Sequence, residues 1–329
     1  MTALRLLVGG YTADQDGAAT GIGLVEVDAD GRMSHRGTIV ETESPSFLAR
    51  RGDVVYASAE GAGRLDAFRV APDAASAEPL ARIATGGALP CHVTLTADSA
   101  LVACYGDGML ARHPLLDDGT PGEPAQVLRP EPGPAAMNRG GAHAHASIVL
   151  ADGRVLSSDL GTDAVHVHTI GEDGSLQRVG TVRLPAGSGP RHFAQHPTGI
   201  VYVITELDNH VVALDENLRP IVSVFLDRAD EEYPSEVAVS ADGRFVYAAV
   251  RGRDTIVVLA AHDGGRRLER IAEVPTRGAW PRHFVLSGRR LYAADQLDHR
   301  VAAFDLGENG VPVYSHAVDV PSPSALLAW

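Results

Sequence analysis

Two cysteines, Cys91 and Cys104, are all that 329 residues contain, which excludes a disulfide framework and offers no metal-binding spacing. No apolar run reaches the roughly 18 residues that a transmembrane helix needs. The opening MTALRLLVGGYT is too short an apolar stretch for a secretory leader and has no cleavage pattern. These absences point to a cytoplasmic protein with no membrane partner. Basic residues are in deficit, 28 against 42 acidic ones, and the net charge of −14 makes nucleic acid a poor partner. Aromatic residues are only 5% of the chain. Helical periodicity is missing throughout, so long helices are not expected.

Turn formers are plentiful, with 35 glycines and 20 prolines. The prolines recur in register. Each of Pro45, Pro90, Pro190, Pro234, Pro281 and Pro323 precedes a short apolar strand, and Ala142 in GAHAHASIV stands in the one gap. The successive spacings are 45, 52, 48, 44, 47 and 42 residues. After each proline strand comes a turn, then a second strand (VVYASAEG, IVYVITEL, FVYAAVRG), then a third that alternates apolar and polar residues (RLDAFRV, HVVALDE, RVAAFDL). A weaker fourth leads to the next proline. Four antiparallel strands per ~40–50 residues is the pattern of a β-propeller blade. Seven units predict an all-β, seven-bladed propeller forming one domain over 1–329. SPSALLAW supplies only a first strand, so the N-terminal strands should complete its blade and close the ring.

In an antiparallel pair, first-strand starts and second-strand ends lie side by side. They open on one face, around the central funnel. First-strand starts carry His92, His143 or His145, Arg191 with His192, Glu236, and Arg282 with His283; two blades offer only Ser46 and Ser324. Second-strand ends carry Tyr11, Glu60, Tyr105, Asp159, Glu206, Arg251 and Gln296. Adjacent strand residues point to opposite sides. Only one of Arg191 and His192 is therefore expected to face the funnel, with His192 and His283 as structural buttresses. Several cations gathered in an acidic protein repel one another, and an anionic ligand would relieve that repulsion. The two copies of Pro-Arg-His-Phe, at Pro190 and Pro281, are then unequal: Glu206 ends the strand beside Arg191, and Gln296 ends the strand beside Arg282. The first copy suits catalysis and the second binding.

Other chemistries lack their motifs. There is no P-loop, no strand–GxGxxG–helix unit and no G-x-S-x-G elbow. The HAHA run places two imidazoles on one strand face, but no third ligand follows, so no metal is expected. Cys91 beside His92 should diverge from it along the strand, against a nucleophilic thiol. The run DRADEEYP reads as a solvated rim loop.

The blocks GPRHFAQHPTGIVYVITEL, SEVAVSADGRFVYAAVRGRDTIVV, HAHASIVLADGRVLSSDLGTDAV, PCHVTLTAD and SPSFLAR resemble, in order and across essentially the whole chain, the seven-bladed lactonase family. That family includes propeller-type 6-phosphogluconolactonases and carboxy-muconate lactonizing enzymes. The resemblance implies a site made of His143 or His145, Arg191, Glu206 and Arg251. The strand-start and strand-end pattern adds His92, Glu236, Arg282, His283, Gln296 and Glu60 as the residues expected to line the rest of the pocket. The chain departs from the family pattern at Val250, Asp295 and Ala142, where Asn, Asn and Pro are usual.

The expected activity is hydrolysis of a sugar-acid-type lactone without a cofactor. Glu206 or a His-block imidazole would activate water, and arginines would stabilise the oxyanion and hold the substrate's anion. The alternatives are a lactonizing cycloisomerase and a non-catalytic propeller that binds sugar acids or a protein partner.

Overall fold

The computed structural model describes residues 4–130, 140–227 and 231–329. Residues 228–230 of the DRADEEYP run thus lie outside the described residues. Seven four-stranded antiparallel sheets cover residues 45–84, 90–128, 144–183, 190–225, 233–275, 281–319, and 4–41 joined to 323–328. They are called blades 1 to 7 in that order. Inner strands of successive blades touch in turn, and the strand of blade 7 touches that of blade 1, so the ring is closed. Closure is by pairing of Leu6–Gly10 with the C-terminal strand Pro323–Ala328, as the repeat pattern predicts.

The core lies between the blades. Seven apolar clusters occur among the described residues, and each joins two neighbouring blades. Blade 4, for example, packs Tyr202, Ile204 and Val211 against Val246, Ala248 and Val257 of blade 5. A single blade could not bury both of its faces, so the ring must assemble as a whole. Three second-strand tyrosines bridge blades in the same way. Tyr56, Tyr202 and Tyr247 donate their hydroxyls to the carbonyls of Gly119, Gly265 and Gly310, each 63 residues further on.

One feature of the repeat was invisible in the sequence. Every inner strand carries a β-bulge at its start. In blade 4, Pro190 pairs with Thr205 and Phe193 pairs with Val203, so two residues oppose one. The same shift follows Pro45, Pro90, Ala144, Pro234, Pro281 and Pro323. The register also corrects the alignment of blade 3. Ala144 pairs with Asp159 as Pro190 pairs with Thr205, so Ala144, not Ala142, stands in the proline's place. His145 is therefore the equivalent of Arg191, and Leu160, not Asp159, is the equivalent of Glu206. Asp159 instead accepts the backbone N–H groups of His143, Gly161 and Thr162 and shapes the turn.

Asp295 in blade 6 is fully buried, and neither carboxyl oxygen has a hydrogen-bond partner among the described residues. The backbone of Gly278 lies over it so closely that an added Cβ would sit 2.2 Å from Oδ2. Burial pushes its carboxyl up from 3.8 to about 7, against the opposing pull of Thr276. The folded chain thus holds a proton that the unfolded chain releases, and stability falls as pH rises from 3.8 to about 7. Asp295→Asn removes this burden. The variant should match the parent in melting temperature near pH 4 and exceed it above pH 7, by up to about 4 kcal/mol of stability. A difference independent of pH would mean that the carboxylate is satisfied in its buried place.

Candidate active site

The bulges build the site. In every blade but the fifth, whose Ser235 bonds to the Ala249 and Pro281 carbonyls, the extra residue of the inner strand lines the central funnel, and in blades 1, 4 and 6 its successor does so as well. Ser46, Cys91, His145, Arg191, Arg282 and Ser324 thus reach the funnel together with Phe47, His192 and His283. This overturns the expectation that Arg191 and His192 must diverge, and Cys91 faces the funnel too. The hydroxyls of Ser158, Ser235 and Ser324 donate to the carbonyls of Arg191, Pro281 and Ser46, each in the next blade, and fix the inner strands.

Two connected chambers result, sharing Glu60, Cys91, His145 and Arg282. The outer one is completed by Tyr105, Glu206 and Arg251. The inner one is much narrower and is floored by aromatic rings. Phe47 stacks on His92 at 4.1 Å between centroids and meets His192 and His283 edge-on at 5.9 and 5.6 Å.

Charge is distributed unevenly among the cations. The Glu206 carboxylate lies between two guanidiniums, 3.0 Å from Arg191 Nε and 2.9 Å from an Arg251 terminal nitrogen. Arg191 also donates to the Ser235 carbonyl. Arg251 donates to the carbonyls of Tyr233 and Pro234 and lies 5.3 Å from the Trp280 ring. Burial lowers both arginines, Arg251 to about 10, while Glu206 pulls the other way. Arg282 differs. It lies over the Tyr11 ring at 4.8 Å, and among the described residues no carboxylate is within ion-pairing distance. Burial lowers it, but the fields of Tyr11, Glu60 and Glu206 outweigh that and raise it. Tyr11, which the repeat pattern places at a second-strand end on the funnel, donates its hydroxyl to Glu60 at 2.9 Å. The chain contains no lysine, so every side-chain cation here is a guanidinium or imidazolium, and Schiff-base chemistry is excluded.

Burial favours the neutral form of four imidazoles here. Burial drives His92, His145 and His192 well below the ordinary value of 6.5, helped by neighbouring positive groups, and His283 falls to about 4. Burial also pushes the Cys91 thiol well up, which opposes thiolate chemistry. Of the two blade 3 histidines, His145 lines both chambers. His143 instead stacks on Tyr105 and donates from Nδ1 to the Tyr105 carbonyl at 2.6 Å. Gln296 is half-buried and lines neither chamber. Glu236 lies beneath the inner chamber, within 2.8 Å of His192 and 3.3 Å of His283. Among the described residues no group of three or more His, Cys, Asp or Glu side chains is arranged to hold a metal ion.

Residues 5–327 match the family model described as lactonase, seven-bladed β-propeller. The chain belongs to that family. It is 29% identical over 302 residues to the 6-phosphogluconolactonase of Bacillus subtilis, covering 87% of this chain and 85% of the relative. It is 27% identical over 324 residues to the 6-phosphogluconolactonase of Formosa agariphila, with 91% of each chain covered. Among solved structures, the periplasmic gluconolactonase of Pseudomonas aeruginosa superposes with a TM-score of 0.92 at 26% identity over 99% of both chains.

The Arg191–Glu206–Arg251 bridge makes the lactonase fold itself sensitive to one carboxylate. Glu206→Gln leaves two buried guanidiniums without their counter-ion, and denaturant unfolding should show a loss of about 3–5 kcal/mol. Added phosphate or sulfate should restore part of it. An unchanged midpoint would mean that the bridge contributes little to stability.

Proposed function

We propose that this chain hydrolyses a small anionic lactone of the 6-phosphogluconolactone type. The observation that carries the reading is a chamber lined by a guanidinium without a carboxylate partner and by a neutral imidazole, Arg282 and His145. Arg282 is the natural seat for the substrate's phosphate or carboxylate, since Arg191 and Arg251 are already engaged by Glu206. The second copy of Pro-Arg-His-Phe thus supplies binding.

Ring opening requires a base for water, donors for the developing oxyanion, and a proton for the leaving alkoxide. Both guanidiniums engage the same Glu206 oxygen, Oε2, and their positive charge favours the ionised carboxylate over a protonated one. Glu206 serves to hold Arg191 and Arg251 in place as oxyanion donors, each worth ~3 kcal/mol of transition-state stabilisation. The base is then a neutral imidazole of the adjacent pair His145 and His192, whose ring centroids are 5.1 Å apart. Relatives named 6-phosphogluconolactonase and gluconolactonase support this class of reaction.

A panel of lactones with and without phosphate, assayed at mildly acidic pH to suppress spontaneous opening, tests the proposal. Hydrolysis should favour anionic lactones. Arg282→Ala should raise KM at least tenfold with a smaller change in kcat, whereas Arg191→Ala should lower kcat about a hundredfold. Rates equal to background for every lactone would refute the activity, and indifference to Arg282→Ala would refute the anion seat.

A further inference from the structure

His192 is oriented by a chain of polar contacts that spans four blades. It begins at the backbone N–H of Leu326 in blade 7, which donates to His283 Nδ1 at 3.2 Å. With that nitrogen acting as acceptor, the neutral ring of His283 carries its proton on Nε2. Nε2 lies 3.3 Å from Glu236 Oε2 and turns its proton toward that carboxyl group. The other carboxyl oxygen, Oε1, accepts the N–H of Val237 at 3.0 Å. Oε2 also meets His192 Nδ1 at 2.8 Å. The N–H of Val237 bonded to this carboxyl group, and the His283 Nε2–H close beside it, match an ionised carboxylate that accepts from His192. Burial pushes Glu236 up, and His283 and Arg191 pull against it.

The consequence falls on His192. Its Nδ1 carries the proton, so the lone pair is on Nε2. That atom is buried and has no hydrogen-bond partner among the described residues. A buried imidazole lone pair left without a partner forgoes a hydrogen bond and marks a place for a donor. The donor's space is beside it: His192 lines the inner chamber, which has room for about one water molecule. Ser46, Ser324 and Tyr11 supply further polar groups there. The chamber opens onto the larger one through Glu60, Cys91, His145 and Arg282.

Resting on the lactonase reading above, we propose that His192 is the base that takes a proton from the attacking water, and that Glu236 and His283 are positioning residues that fix its tautomer. The water oxygen bonds to the lactone carbonyl carbon as one of its protons passes to His192 Nε2. The carbonyl electron pair moves onto oxygen, facing the arginines. The tetrahedral intermediate collapses, the ring C–O bond breaks, and the imidazolium returns the proton to the leaving alkoxide. One water is consumed and one hydroxy acid is formed, with no other reactant.

The arrangement carries a signature readable in the unaltered protein. In 15N-labelled protein near pH 7, His192 should show a protonated Nδ1 and an unprotonated Nε2. The opposite pattern overturns the assignment whether or not a substrate is known. On the best lactone of the panel, His192→Ala should lower kcat about 10²–10⁴-fold with KM little changed, and added imidazole should restore part of the rate. Glu236→Gln should lower kcat less, and Glu236→Asp should recover part of that loss. The wild-type rate should persist below pH 6.5, the ordinary histidine value, because burial and Arg191 hold His192 neutral there. If the wild-type protein hydrolyses lactones and His192→Ala does so equally well, or loses only affinity, His192 is not the base. If no lactone is hydrolysed at all, it is the lactonase reading that fails.

Discussion

The extra residue at the start of each inner strand is what the site depends on. A regular strand would send alternate side chains to opposite faces, so each blade could show the axis one residue from its first strand. In every blade but the fifth, the bulge turns the extra side chain inward without spoiling the pairing that follows. Repeated around the ring, it fills a narrow channel with side chains that a flat ladder would have sent between the blades. The prolines belong to the same device. Proline donates no backbone hydrogen bond, and here it occupies the last paired position before the shift. The phenylalanines of the two Pro-Arg-His-Phe copies are the first ordinary strand residues after it. Phe284 is buried and Phe193 half-buried, each against its own inter-blade cluster.

Crowding three arginines around one axis in a low-dielectric interior would be prohibitive without compensation. The chain compensates two of them with one carboxylate and leaves the third to an aromatic face. The choice of arginine over lysine throughout suits this. A guanidinium can satisfy a carboxylate, backbone carbonyls and a ring face at once, and is less strongly hydrated than an ammonium. Arg251 does all three, through Glu206, the carbonyls of Tyr233 and Pro234, and Trp280. The same desolvation keeps the histidines neutral, so the centre combines fixed positive charge with uncharged bases. That pairing suits a reaction in which a negative charge develops on oxygen while a proton moves to nitrogen.

The fold was legible because it is written many times. A proline, a turn and three alternating strands recur at nearly constant spacing, and a pattern seen six times survives local noise. Blade 3 was misaligned by two residues because it has alanine where the others have proline, and only backbone pairing reveals that Ala144 takes the place. The site was legible as a set of residue types at strand starts and ends. It was not legible as geometry. Period-2 reasoning discarded His192 as a buttress, since a bulge is a feature of pairing and leaves little mark in one strand's composition; Cys91 and His92 do diverge, but it is Cys91 that lines the chambers and His92 that does not. Gln296 was included on the same reasoning and lies outside both chambers. A clue was nonetheless present: two adjacent polar residues, Arg and His, recur after proline in two blades of a strand otherwise apolar. Such a pair is costly to place in a regular buried strand and natural in a bulge.

The two Pro-Arg-His-Phe copies show how a repeat becomes an asymmetric site. Their backbones are equivalent, so their Arg and His enter the funnel at the same depth. What separates them is the residue that ends the next strand and the residue that faces the histidine. Glu206 claims Arg191, while Gln296 makes no such claim on Arg282, which turns to Tyr11. Glu236 stands between the two histidines, bonded to His192 and 3.3 Å from His283 Nε2, but Leu326 N–H occupies the far nitrogen of His283 alone. The far nitrogen of His283 is thereby occupied, and that of His192 is left without a partner among the described residues, in a side chain that lines the inner chamber. Symmetry supplies two equal pairs; their neighbours make one arginine a fixed donor, the other an anion seat, one histidine a support and the other a base.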